Sequence, residues 1–157
     1  MKYAAESLKL DHILLDSLMK CGIAHDDYTG QARFVNELCA IAKGTGSHIS
    51  LVAHMKKPQG HDTSKMPDRY SIAGHSDISN QAHNVLIVWN DDKKKKEANK
   101  PEHLRDKKVM DKADMVFTVE KQRNGEFEGG LGLWFDERSL QFKDLSLGKT
   151  KDYTQHM

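Results

Sequence analysis

The sequence predicts an α/β chain in which parallel strands joined by a crossover helix are followed by an antiparallel C-terminal meander. Three observations carry that expectation. Two short aliphatic runs, at residues 12–17 and 47–53, flank an amphipathic stretch at 31–43, which is the strand–helix–strand order of a βαβ unit. A third aliphatic run follows at residues 84–89. Beyond residue 112 the apolar spacing becomes alternate: Met115, Phe117 and Val119, then Leu131, Leu133 and Phe135, then Leu140 and Phe142. That period suits half-buried antiparallel strands.

Composition narrows the class. A chain of 157 residues is of common domain size and can bury a core. Its 24 basic and 23 acidic side chains nearly cancel, so any binding of nucleic acid has to come from local patches. Charged residues make up 30%, yet the apolar segments are clear, which argues against wholesale disorder. No apolar run approaches the roughly 20 residues that span a bilayer, and the N-terminus lacks a signal-peptide core. The expected location is cytoplasmic, with no membrane partner. Cys21 and Cys39 have no paired metal spacing and read as reduced thiols. None of the nine histidines stands at a zinc-finger or zinc-protease spacing.

Residues 1–10, with Ala4, Ala5, Leu8 and Leu10, suit a short uncapped helix. His-Ile-Leu-Leu-Asp-Ser at 12–17 then places three large apolar residues in succession, as in a strand buried on both faces. The run ends in Asp16. In open α/β sheets ligands collect beyond the carboxyl ends of strands, so this carboxylate is a candidate for metal or phosphate chemistry; otherwise it simply opens the next loop. That loop passes Cys21-Gly22 and Asp26-Asp27 to Thr29, a suitable helix cap. Phe34, Val35, Leu38, Cys39, Ile41 and Ala42 recur at helical steps, and Lys43 and Gly44 are expected to close the helix.

Ile49, Leu51 and Val52 mark the second strand, which ends at His54. A right-handed crossover makes the two strands parallel, so Asp16 and His54 should share one sheet edge. Lys56, Lys57 and Pro58 open a polar stretch at 59–69 without apolar periodicity, expected to be a mobile surface loop. A helical turn at 77–82 leads to the third buried strand, with Val85, Leu86, Ile87 and Val88. Residues 90–112, including four lysines at 93–96, read as a solvated connection. Hairpin connections fall at 125–130 and 136–138. Gly148-Lys149-Thr150 has the ending of a P-loop, but Lys143 stands where the first glycine is required and no helix pattern follows.

Taken in order, residues 12–16, 47–58, 71–89 and 120–142 resemble the later motifs of hexameric replicative DNA helicases of the DnaB-like, phage primase-helicase and Twinkle-like types. The most specific blocks are Lys121-Gln122-Arg123-Asn124-Gly125, and Ser71-Ile72-Ala73-Gly74 followed by Gln81-Ala82-His83-Asn84-Val85-Leu86. The resemblance implies a partial RecA-like core over residues 1–147, followed by a polar tail at 148–157. It also implies ATP and Mg2+ as cofactors. Asp16 would be the Walker B aspartate, holding magnesium through water, and His54 the γ-phosphate sensor. Lys56, Lys57 and Arg69 would border a loop that meets single-stranded DNA, where cations hold phosphates without reading sequence. Arg123 would be the arginine finger and Lys121 its basic companion, both acting on ATP held by a neighbouring subunit.

The family's P-loop and catalytic glutamate lie upstream of the aspartate strand, and neither pattern occurs in this sequence. The expectation is therefore a C-terminal helicase half, inactive alone, that works as a homo-oligomer or with a complementary P-loop-containing half. The strand that carries the P-loop would lie between those at 47–53 and 84–89. Without it those two strands pair directly, leave a gap or borrow a strand. The other reading, from a different class, is a non-catalytic RecA-like module that binds DNA or assembles with helicase subunits.

Overall fold

The computed structural model describes residues 1–24, 26–56, 65–74, 76–145 and 147–152. The chain forms two compact units, one comprising residues 1–57 and 67–85, the other residues 58–66 and 86–157.

The first unit contains α1 (Lys2–Glu6), β1 (His12–Asp16), α2 (Tyr28–Thr45), β2 (His48–Val52) and α3 (Asp77–Gln81), with 3-10 turns at Leu18–Lys20 and Arg69–Ser71. β1 and β2 pair in parallel, from His12 opposite His48 to Asp16 opposite Val52. The βαβ unit is thus as the periodicity indicates. Its helix differs at both ends. Asp27, not Thr29, is the N-cap, and its carboxylate accepts from the Gly30 amide at 2.8 Å. At the other end Gly44 stays helical, and it is Gly46 that takes the left-handed conformation (φ 77°) and donates its amide to the Ala42 carbonyl. A C-terminal cap of this kind needs a residue tolerant of positive φ, and the second glycine supplies it.

Leu18, Val35 and Ile78 form the core of this unit, with Phe34, Cys39, Leu51 and Ile72 packed against them. α2 buries Gln31, Val35 and Leu38, which share one helical face. β1 departs from the expectation of burial on both faces. Ile13 and Leu15 are half-buried, whereas Leu14 is 69% exposed. Side chains alternate across a strand, and the core occupies only the Ile13–Leu15 side.

The second unit contains most of β3 (Asn84–Asn90), then α4 (Asp92–Ala98), α5 (Lys107–Met110), β4 (Met115–Gln122), β5 (Gly129–Asp136) and β6 (Gln141–Lys143). These strands make a four-stranded sheet in the order β3-β4-β5-β6. β4 and β5 are antiparallel, with Met115 opposite Leu133 and Val119 opposite Gly129; β5 and β6 are also antiparallel. The expected C-terminal meander is present. β3 is in this sheet and not in that of β1 and β2, so β2 and β3 do not pair directly. Along β3, Val85 and Ile87 are buried while Leu86 and Val88 are exposed, again a strand buried on one face only.

Residues 90–112 are more ordered than a solvated connection. Asp91 caps α4 through the Lys93 amide, and Asp106 caps α5 through the Lys108 amide. Lys94 bridges Asp114 at 2.7 Å and also reaches the Lys112 carbonyl. Glu97 is 9% exposed and accepts from Lys100 Nζ and the Asp106 amide, both at 2.8 Å. Those two donors hold its carboxyl below the usual range. Polar anchoring replaces the apolar packing that this stretch cannot supply. Among the described residues, no helix is long and apolar enough to cross a membrane.

Ile87, 1% exposed, and Leu86, 55% exposed, test the one-sided burial of β3. Ile87→Ala should lower unfolding free energy by about 2–5 kcal/mol in chemical denaturation, and Leu86→Ala by no more than about 0.5 kcal/mol.

Candidate functional site

The parallel ladder of β1 and β2 brings two of the residues singled out from sequence to one sheet edge. Asp16 ends β1 opposite Val52, and His54 follows two residues beyond it. Both side chains are exposed. Ser17, one residue past Asp16 and joined to it by a cis peptide, is 5% exposed. Its Oγ lies 3.5 Å from His54 Nε2, at the outer limit of a hydrogen bond. The pair ties the end of β1 to the chain leaving β2.

Main-chain pairing closes the base of the excursion that begins after β2. The Ala73 amide donates to the His54 carbonyl and the Lys56 amide to the Ser71 carbonyl, each at 2.7 Å. Between these bonds Met55 and Ile72 form an antiparallel bridge. Lys56 is exposed at the outgoing end. At the returning end Arg69 stacks on Tyr70, with its guanidinium carbon 5.1 Å from the ring centroid, and donates through Nη2 to the Tyr70 hydroxyl at 3.0 Å. Lys57 and residues 59–64 of the predicted loop lie outside the described residues.

The returning 3-10 turn at Arg69–Ser71 is held by a capping box. Asp68 Oδ1 accepts from the Tyr70 and Ser71 amides and from Ser71 Oγ, while Ser71 Oγ accepts from the Asp68 amide. The Ser71 hydroxyl is the principal cause that holds the Asp68 carboxyl below its ordinary value. Gly74 then passes close to α2 with φ 117°. A Cβ there would stand 2.5 Å from Gln31 Oε1 and 2.6 Å from Ile78 Cδ1, so glycine is required both by space and by backbone conformation.

His54, Gln31, Leu18, Met19, Ile23, Ala73 and Gly74 line a cavity of about 100 Å³. That is well below the roughly 300 Å³ at the lower end of small-molecule sites. A nucleotide does not fit inside it. A groove of about 620 Å³ beside α1 and α2 is lined by none of the candidate site residues named from sequence.

Lys121 and Arg123 belong to the second unit. Lys121 is half-buried next to the last residue of β4, and Arg123 is exposed just beyond its end. Among the described residues, no group of three or more His, Cys, Asp or Glu side chains is gathered for a metal. Sequence reasoning missed Ser17 and Gln31. Gln31 carried a usable signal, since it falls on the helical face of Val35 and Leu38 where an apolar residue is expected; its Nε2 donates to the Ala24 carbonyl at 3.2 Å. Ser17 carried none beyond adjacency to Asp16. No protein-family model matches the chain, and no curated protein matches it significantly.

Gly74→Ala should destabilise the protein by about 2 kcal/mol or more, combining positive-φ strain with the clash at Gln31, as read from denaturant midpoints. The Asp68 cap has a pH signature. Its pKa is lowered on folding, so its stabilisation is fully present above the unfolded value near 3.8 and is lost as pH falls through the folded value. Protection of the Tyr70 and Ser71 amides against hydrogen exchange should decline in that acid window, and Asp68→Asn, which retains an acceptor without the titration, should remove the decline.

Proposed function

We propose that the chain is the C-terminal part of the RecA-like ATPase core of a hexameric replicative DNA helicase of the DnaB-like, phage primase-helicase or Twinkle-like type. The observation that carries this reading is the parallel β1–β2 ladder, which sets Asp16 and His54 at one carboxyl edge immediately before an excursion closed at its base. The order of the sequence blocks supports it further.

An exposed carboxylate ending a strand suits magnesium, a hard cation that retains several waters. When bound, the ion neutralises charge on the nucleotide's phosphates. In this reading Asp16 would hold the ion through water. His54 hydrogen-bonds the terminal phosphate, and through its carbonyl it is joined to Ala73 at the loop base. Presence or loss of the phosphate would thereby shift the excursion carrying Lys56, Lys57 and Arg69. Those cations hold the backbone of single-stranded DNA. Arg123, with Lys121, stabilises charge on ATP held by a neighbouring subunit. Because the sequence has no P-loop pattern, hydrolysis requires a half that supplies one.

Two measurements test the reading. Mixed with a P-loop-bearing helicase half, the chain should give DNA-stimulated ATP hydrolysis that Arg123→Ala lowers by roughly 10³-fold or more. Turnover by the chain alone that Asp16→Ala abolishes would overturn it, as would restored activity indifferent to Arg123. In fluorescence anisotropy with single-stranded DNA, Lys56→Ala should reduce the slope of log affinity against log salt by about 0.7.

A further inference from the structure

We propose that His12 and His48 form a two-imidazole site for a divalent transition-metal ion, zinc, nickel or copper(II), at the amino-terminal edge of the β1–β2 sheet. The two residues are direct partners in the parallel register. They lie on the face that also carries exposed Leu14, and both are exposed themselves. Their ring centroids are 5.7 Å apart, with the planes inclined at 52°.

That spacing matches shared coordination. With metal–nitrogen bonds of about 2.0–2.1 Å and each ring centre about 1.1 Å further out, two imidazoles at a tetrahedral angle have centroids about 5.1–5.2 Å apart. The difference from 5.7 Å is within a small side-chain rotation, which exposed rings make at little cost. Water completes the coordination shell.

The main chain beneath the pair is already fixed. The His48 amide donates to the Asp11 carbonyl at 2.7 Å, and Ser47 Oγ donates to the Leu10 carbonyl at 2.8 Å. Thr45 Oγ1 in turn lies 3.1 Å from Ser47 Oγ. The site therefore inherits its ligand spacing from the ladder and binds without ordering a loop. Imidazole nitrogen selects copper, nickel and zinc over magnesium, which prefers oxygen. Asp16 is at the opposite end of the same strand, roughly 13 Å away at 3.3 Å per residue, so this site is separate from the edge proposed for phosphate chemistry. A metal here joins β1 to β2 and stabilises the folded chain by mass action.

The test uses the untagged full chain after chelator treatment, titrated with copper(II), nickel or zinc chloride and followed by calorimetry and thermal unfolding. One ion should bind per chain with a rise in Tm, copper(II) most tightly. His12→Gln and His48→Gln should each weaken binding by at least about tenfold, because the second ring then no longer acts at high effective concentration. Each should also abolish the Tm rise, and the double variant should bind no more tightly than either single one. His103→Gln, at an exposed histidine of the second unit, should change neither readout. Wild-type affinity in either single variant, or an equal loss in His103→Gln, would overturn the site.

Discussion

The parallel register of β1 and β2 is the constraint on which the first unit depends. Five successive partners, from His12–His48 to Asp16–Val52, are set by one crossover helix. A slip of one residue would exchange the half-buried Ile13 and Leu15 for Leu14 and lose the contact of Leu51 with the Leu18, Val35 and Ile78 core. At the carboxyl end the register delivers Asp16 and His54 to a common edge. At the amino end it sets two imidazoles side by side. Both arrangements follow from the same hydrophobic choice of face.

The second unit relies more on polar anchoring. Its meander is specified by alternation, but the lysine-rich connection before it has little to bury. Order there comes from Asp91 and Asp106 at helix starts, from Glu97 between Lys100 and the Asp106 amide, and from Lys94 on Asp114. The Asp136 carboxylate similarly accepts from the Ser139 amide and hydroxyl, which hold its pKa down, at the turn into β6. Such contacts, most of them short in sequence, satisfy the groups a loop would otherwise leave to water.

Much of this was legible from residue pattern. The amphipathic stripe of α2, the parallel pairing implied by strand–helix–strand order, the turn at α3 and the alternating C-terminal strands all follow from local periodicity. The errors have a common cause. An aliphatic run such as Ile13-Leu14-Leu15 or Val85-Leu86-Ile87-Val88 reports that a strand can be buried on both faces, not that anything covers the second face. Helix ends differ from expectation because Asp27 and Thr29 can both serve as N-caps and Gly44 and Gly46 are both glycines, so only the path of the backbone decides which of them caps.

By itself the sequence determined the strands, the crossover helix α2 and the turn at α3, though not α4 and α5, and it marked Asp16 and His54 as strand-end residues, because period and composition act over a few residues. The tertiary structure alone decided that Ser17 meets His54, that Gln31 lies buried against Gly74, and that His12 faces His48. These pairs are far apart along the chain and share no local motif. The pairs Ser17–His54 and His12–His48 follow because burying one face of a two-stranded ladder fixes its register and so the neighbours across it, whereas Gln31 meets Gly74 where the chain before α3 passes α2.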